Sequence, residues 1–368
     1  MADYLKIPFN GIKNPFDGHI HIFRWYDTER NIDFLHGLEE YRKECGLKYI
    51  ALAPLPSGKG RERDVGNNII CAFYKLANKN TYSYGGILYP TYPVKSEDLA
   101  EMTLARQHDE LMEIGFDGIK MLEGKPNLYR CIGNSLDSDF YEELFRIAEG
   151  NGTYILMHAS DPSVFWDEAK ATPENLAKGW CYSDSSYPGY EEIYEQIENV
   201  LSRHPRLNLC LAHFFFLSSN PEKLAKLLDT YPNLTVDITP GGEMYIDFNA
   251  NPKYFYDFFV KYQDRIIFGT DMAFPVNLEA GKWLCDREYR FFNESTSLMS
   301  FDDNVITGIK IPSECNQKIF SDNLLSKLGA KPKEINKKAL KAYIEKYRHL
   351  IQDKKLLARI DELSIQYL

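Results

Sequence analysis

A closed (β/α)8 barrel is the fold that this sequence of 368 residues predicts. Three observations carry the prediction. Eight short apolar, β-branched runs recur along the chain, helical patterns separate them, and no glycine-rich phosphate loop follows the first run. A doubly wound open sheet, the competing α/β architecture, would want such a loop there. Gly58-Lys59-Gly60 is too sparse, and wrongly spaced, to serve as one.

The predicted strands are 16–23, 49–56, 81–90, 116–123, 153–160, 207–214, 234–241 and 266–273. The helices between them announce themselves by caps and period. Asn220-Pro221 and Asn251-Pro252 each pair an N-cap residue with proline at the first helical position. Leu224, Leu227 and Leu228 then form one apolar stripe, and Ile193, Ile197, Val200 and Leu201 form another ahead of the sixth strand. Gly46 and Gly115 stand where helices should stop. The stretch 274–312 is long for a loop and is expected to fold over the barrel mouth as a partial lid. Residues 331–368 read as one or two surface helices with Leu340, Tyr343, Ile344 and Tyr347 as their apolar stripe. The expected organisation is a barrel over 1–330 and a C-terminal helical extension over 331–368 packed on it.

Composition narrows the function classes. A hydrophobic share of 44% supports a large core, and a formal charge of −10 argues against a nucleic-acid surface, which needs a basic stripe. No apolar run approaches a membrane span, and Met1 to Asn10 lacks the apolar core of a signal peptide. The seven cysteines are scattered without a Cys-x-x-Cys pair, which fits reduced thiols in a cytoplasmic protein.

The chemistry begins in the first strand. Alternation along Phe16-Asp17-Gly18-His19-Ile20-His21-Ile22-Phe23 puts His19 and His21 on one face and Ile20 and Ile22 on the other. Two neutral imidazoles converging from one strand can hold a divalent cation, Zn²⁺ being the commonest choice. Further polar residues fall on later strands: Lys120 within the fourth, His158 ending the fifth, His213 ending the sixth and Asp271 ending the eighth. In a barrel every C-terminal strand end surrounds one mouth, where active sites lie. Each residue alone has a structural explanation, as a hydrogen-bonded core histidine or a turn aspartate. Together they fit a metal site, because apolar strands would otherwise have no reason to carry them.

These residues give the chain a family resemblance. Asp17-Gly18-His19-Ile20-His21, Gly118-Ile119-Lys120-Met121, Leu156-Met157-His158, His204-Pro205 leading into Leu211-Ala212-His213, and Phe268-Gly269-Thr270-Asp271 follow one another in order. In this the sequence resembles the amidohydrolase superfamily, specifically its branch of amidohydrolase-related TIM-barrel hydrolases and decarboxylases. Ile311-Pro312 through Asn323-Leu324-Leu325 resembles the terminal helix that closes those barrels. The resemblance implies that His19, His21, His158 and Asp271 hold one divalent ion, Zn²⁺ or else Mn²⁺, with water in an open position. It implies that the ion lowers the pKa of that water from about 15.7 towards about 7. Asp271 would then move the proton, and His213 would orient the water or donate to the oxyanion. It also implies a small-molecule substrate and a homodimer. A second ion bridged by a carboxylated Lys120 belongs to binuclear members; one ion is favoured here, with Lys120 facing a substrate oxygen or carboxylate, and a salt bridge to Glu123 or Asp17 as its structural alternative.

The reaction implied is metal-dependent hydrolysis of an ester, lactone or amide of a small carboxylated compound. The alternative is a lyase of the same branch, a decarboxylase or hydratase, and a non-catalytic relative is the third reading. Arg24 is a candidate carboxylate clamp. Glu123, with Gly124 and Lys125, is expected in a polar loop facing the mouth, as a substrate contact. Trp166 and Tyr182 are weaker candidates for stacking on a substrate, and Gly241-Gly242-Glu243 for close backbone approach. His36, His108, His204 and His349 are excluded from the site.

Overall fold

The structure, a computed structural model, describes residues 9–58, 61, 64–89, 102–240, 242–299 and 304–368. Met1 to Pro8, Lys59, Gly60, Pro90 and Gly241, on which sequence readings touched, lie outside the described residues.

Nine parallel strands make one sheet: β1 (Phe16–Ile22), β2 (Tyr49–Leu52), β3 (Thr81–Gly86), β4 (Gly118–Gly124), β5 (Tyr154–Ala159), β6 (Asn208–Leu211), β7 (Thr235–Asp237), β8 (Ile266–Ile267) and β9 (Met272–Phe274). They lie in the order β8-β7-β6-β5-β4-β3-β2-β1-β9. The two terminal strands are halves of one segment: β8 pairs with β7 and β9 with β1. Between them the Gly18 N–H donates to Phe268 O at 3.0 Å and the Asp271 N–H to His19 O at 2.9 Å. The sheet therefore closes through its eighth segment into the (β/α)8 barrel. That segment is split because Asp271 takes a left-handed φ of 55°.

The lower half of the barrel is a plug. Phe16, Tyr82, Tyr84, Tyr154, Leu156 and Ile267 point inward and meet Leu324 and Leu328 from the chain's later helices. Each large side chain removed from water contributes on the order of 1.5–3 kcal/mol. Their hydroxyls are not stranded: Tyr82 donates to Gly329 O at 2.8 Å, and Tyr84 to Gly18 O at 3.2 Å.

The caps read from sequence are in place. Asn220 and Asn251 accept from the N–H groups of Lys223 and Tyr254, with Pro221 and Pro252 next in line. Gly46 and Gly115 end their helices at φ +68° and +104°. One element differs. The segment 274–312 is no lid loop, because it holds a 16-residue helix, Leu278–Asn293, and a hairpin of Ser297–Met299 with Val305–Thr307. The helix buries Gly281, Cys285, Tyr289 and Phe292, spaced by three or four, so it is held on the barrel flank by its own apolar face. Two helices, Lys337–Tyr347 and Lys354–Tyr367, form the tail, and Leu340, Tyr343, Ile344 and Tyr347 are its buried stripe. Among the described residues no helix is long and apolar enough to cross a membrane.

Candidate metal centre

A bulge in β1 aims the two histidines. Asp17 and Ile20, three steps apart, pair with Ile50 and Leu52, two steps apart, so β1 carries one extra residue. The extra residue shifts the inward-outward phase: Phe16 fills the plug below, while His19 and His21 face the interior above.

Their Nε2 atoms stand 3.2 Å apart. The other ring nitrogens are committed, His19 Nδ1 to Asp237 Oδ2 at 2.9 Å and His21 Nδ1 to the carbonyl of Ala53 at 2.6 Å. A carboxylate and a carbonyl only accept, so these partners assign the proton to Nδ1 and leave a lone pair on each Nε2. Burial, with the nearby Lys120 charge, pushes His19 down to about 3, so it stays neutral at ordinary pH. Burial alone would raise Asp237, but its hydrogen bond with His19 brings it to about 2. Asp271 completes the group, its Oδ1 3.0 Å from His21 Nε2 and 3.6 Å from His19 Nε2. The three candidate ligand atoms lie within 4.8 Å of one another. Three electron-pair donors round one point, two of them fixed from behind, are the donor set of a divalent cation. The residues present fit such an ion.

Backbone conformation at the mouth is unusual. Ser160, His213 and Asp271, just beyond β5, β6 and β8, have φ of 68°, 57° and 55°. Left-handed non-glycine residues cost on the order of 1–3 kcal/mol each and gather where a site over-determines them. Here buried hydrogen bonds do so: the His213 N–H donates to Asp237 Oδ1 at 2.7 Å, and the Asp271 N–H to His19 O.

The remaining predicted residues fall into place unevenly. His213 lies beside the centre, its ring 5.9 Å from that of His19, with Nδ1 within 2.9 Å of Thr239 Oγ1 and 3.2 Å of Thr239 O. His158 is one ring further out, 4.8 Å from His213, and its Nε2 is 3.2 Å from Asp161 Oδ1. The structure does not bring it into the group with His19, His21 and Asp271. Lys120 is buried with Nζ 3.1 Å from His19 Nε2, and burial lowers it to about 8. Neither Glu123 nor Asp17 is its partner, because Asp17 accepts from Thr270 and Tyr41 behind β1.

Glu123 corrects the sequence reading. It sits in β4 rather than in a loop and is fully buried. Its Oε2 accepts from the Leu122 N–H and its Oε1 has no partner among the described residues. Burial pushes the carboxyl up to about 8. Lys125 caps a short helix and pairs with Asp161 at 2.7 Å. Arg24 is exposed just beyond β1. Tyr182 donates to Asp161 Oδ2 at 2.6 Å and packs on Trp166, so both order the loop after β5. Gly242 and Glu243 begin the helix Gly242–Ala250. Of the excluded histidines, His36 is exposed, His108 bonds Thr153 and His204 faces Glu142, away from the mouth.

Sequence reasoning missed Asp237, which holds both His19 and His213. Its signal was available: an acidic residue ending the seventh apolar strand, like Asp271 on the eighth.

A family model described as amidohydrolase matches residues 85–323. Among solved structures, an uncharacterized TIM-barrel protein from Bordetella bronchiseptica covers 86% of this chain and 99% of its own at 14% identity, with TM-score 0.53. A 2,6-dihydroxybenzoate decarboxylase from Rhizobium covers 87% and 99% at 13% identity, with TM-score 0.50. A 4-oxalomesaconate hydratase from Rhodopseudomonas palustris covers 90% and 98% at 11% identity, with TM-score 0.51. At these identities the likeness is one of fold. No curated protein matches the sequence. The matched family span begins after His19 and His21, so those two enter the centre through geometry.

Proposed function

This chain belongs to the amidohydrolase family, and on that premise we propose that it is a metal-dependent hydrolase opening an ester, lactone or amide bond of a small carboxylated substrate. The observation that carries this reading is the convergence of two Nε2 atoms and the Asp271 carboxylate on one point. His19, His21 and Asp271 hold one divalent ion, Zn²⁺ by its preference for imidazole and carboxylate, with Mn²⁺ the other candidate. When bound, such an ion polarises the substrate's oxygen and brings water's pKa from about 15.7 towards about 7.

The chain's own groups do the rest. Asp271 keeps 37% of its side chain open to the mouth, so Oδ2 can take a proton from water and return it to the leaving group. His213 faces the Thr239 carbonyl through Nδ1, which leaves Nε2 as an acceptor that orients the water. Lys120 places a cation beside the reacting oxygen, where developing negative charge is stabilised. His158 and Asp161 shape the wall beyond His213.

A lyase, decarboxylase or hydratase, is the second reading. The buried ammonium of Lys120 next to His19 favours it, because that position suits a substrate carboxylate as well as an oxyanion. The test is a panel of lactones, esters, amides and aromatic carboxylates offered to metal-loaded full-length protein. Acid released with water uptake supports hydrolysis, and CO₂ without water uptake supports decarboxylation. Failure to transform any of them with the ion bound would contradict both.

A further inference from the structure

Asp17 is fully buried behind β1, two residues before His19, and among the described residues no basic side chain pairs with it. Four donors meet its two oxygens instead. Oδ1 accepts from the N–H groups of His19 at 3.2 Å and Thr270 at 3.1 Å. Oδ2 accepts from Thr270 Oγ1 at 2.6 Å and from the Tyr41 hydroxyl at 2.8 Å. One carboxylate thus ties the backbone of β1 at His19 to the break between β8 and β9.

Both sides of that joint are held. A Cβ on Gly269 would stand 2.8 Å from His19 Cβ and from Thr239 Cγ2, so glycine is what lets the segment lie against β1. Tyr41, from the helix Phe34–Glu44, is covered in turn by the helix Leu278–Asn293. A Cβ on Gly281 would come within 2.6 Å of Tyr41 Cε2, and Cys285 Sγ is 3.7 Å from the Tyr41 hydroxyl. The helix found where a lid was expected therefore backs Asp17 from the flank.

Asp271 is the residue that these contacts bracket. Its left-handed φ of 55° is costly for a residue with a side chain and persists where its neighbours impose it. Thr270 before it is fixed to Asp17 through both N–H and hydroxyl, and the Met272 N–H after it donates to Thr270 Oγ1 at 3.3 Å. We propose that Asp17 is a positioning residue for the centre: through Thr270 it holds the turn at Asp271 and so sets where that carboxylate stands relative to Nε2 of His19 and His21. The inference rests on the reading of His19, His21 and Asp271 as one metal centre. A carboxylate suits the task because every group facing it donates and both oxygens are used.

Titration of the full-length protein with Co²⁺, read by the visible absorption of the bound ion and by competition with a chelator, tests it. Thr270→Val keeps the side chain's shape and removes the hydroxyl. It should weaken Co²⁺ binding by about 10–100-fold and change the visible spectrum, which reports ligand geometry. Thr270→Ser, which keeps the hydroxyl, should behave as the wild type, and Asp17→Asn should act in the same direction as Thr270→Val. In an Asp271→Ala chain neither Thr270→Val nor Asp17→Asn should weaken binding further, because the group they position is gone. Equal weakening with and without Asp271 overturns the positioning role and makes Asp17 a general support of the barrel. Wild-type affinity and spectrum in both Thr270→Val and Asp17→Asn overturn it as well. Failure of the wild-type chain to bind Co²⁺ instead removes the reading of the centre, and the task of Asp17 with it.

Discussion

Two pairs of histidines share the barrel mouth, and in only one of them do both Nε2 atoms turn to a common point. In His19 and His21 each Nδ1 is tied to an acceptor, so the two Nε2 atoms converge beside Asp271. In His158 and His213 the partners lie differently: Asp161 stands against Nε2 of His158, and Thr239 against Nδ1 of His213. Three lie in barrel strands, His213 follows one, and all four are buried. An imidazole becomes a ligand through the group that holds its far side, and that partner comes from a different strand.

The largest expected effect falls on the group that both members of the first pair face. Asp271→Asn should retain the fold and lower kcat by about 10²–10⁴, since it removes the proton acceptor. Full activity in that variant would break the comparison at its centre. Next is the support behind His19. Asp237→Asn should weaken metal affinity by about 10–100-fold, read by competition with a chelator. An unchanged affinity would mean that the tether of Nδ1 is dispensable.

A smaller effect separates the mouth from the strand interior just below it. Glu123 is buried with its carboxyl pushed up to about 8 by desolvation, against an ordinary 4.5. Between those values the folded chain keeps a proton that the unfolded chain has released. Stability is therefore full below about pH 4.5 and falls as pH rises towards about 8. Glu123→Gln should raise Tm little near pH 5 and by about 2 °C or more near pH 8.5. A Tm difference that does not grow with pH would contradict the burial of that carboxyl.

Much of this was legible before any coordinates. Strand β1 with its histidines, Lys120 on β4 and Asp271 beyond β8 follow from apolar runs and from the rule that barrel strand ends share a mouth. Three things were not. The bulge in β1 depends on pairing with β2, which a single strand does not encode, and it decides that Phe16 and His19 both point inward. The orientation of His158 depends on Asp161, three residues on, and on Lys125 from β4's side of the mouth. Glu123 reads as a polar loop residue because charged side chains seldom occupy buried strands; a strand extending to Gly124 overrode that expectation. The helix Leu278–Asn293 was within reach, since Asn277 caps it and its apolar positions recur at helical spacing.

Elemental analysis of the full-length protein after loading with Zn²⁺ or Mn²⁺ and desalting tests the account most directly. It predicts one ion per chain, lost in His19→Ala and in His21→Ala but kept in His158→Ala. Retention of no ion by the wild-type chain, or loss of the ion on replacing His158 with His19 and His21 intact, would contradict it.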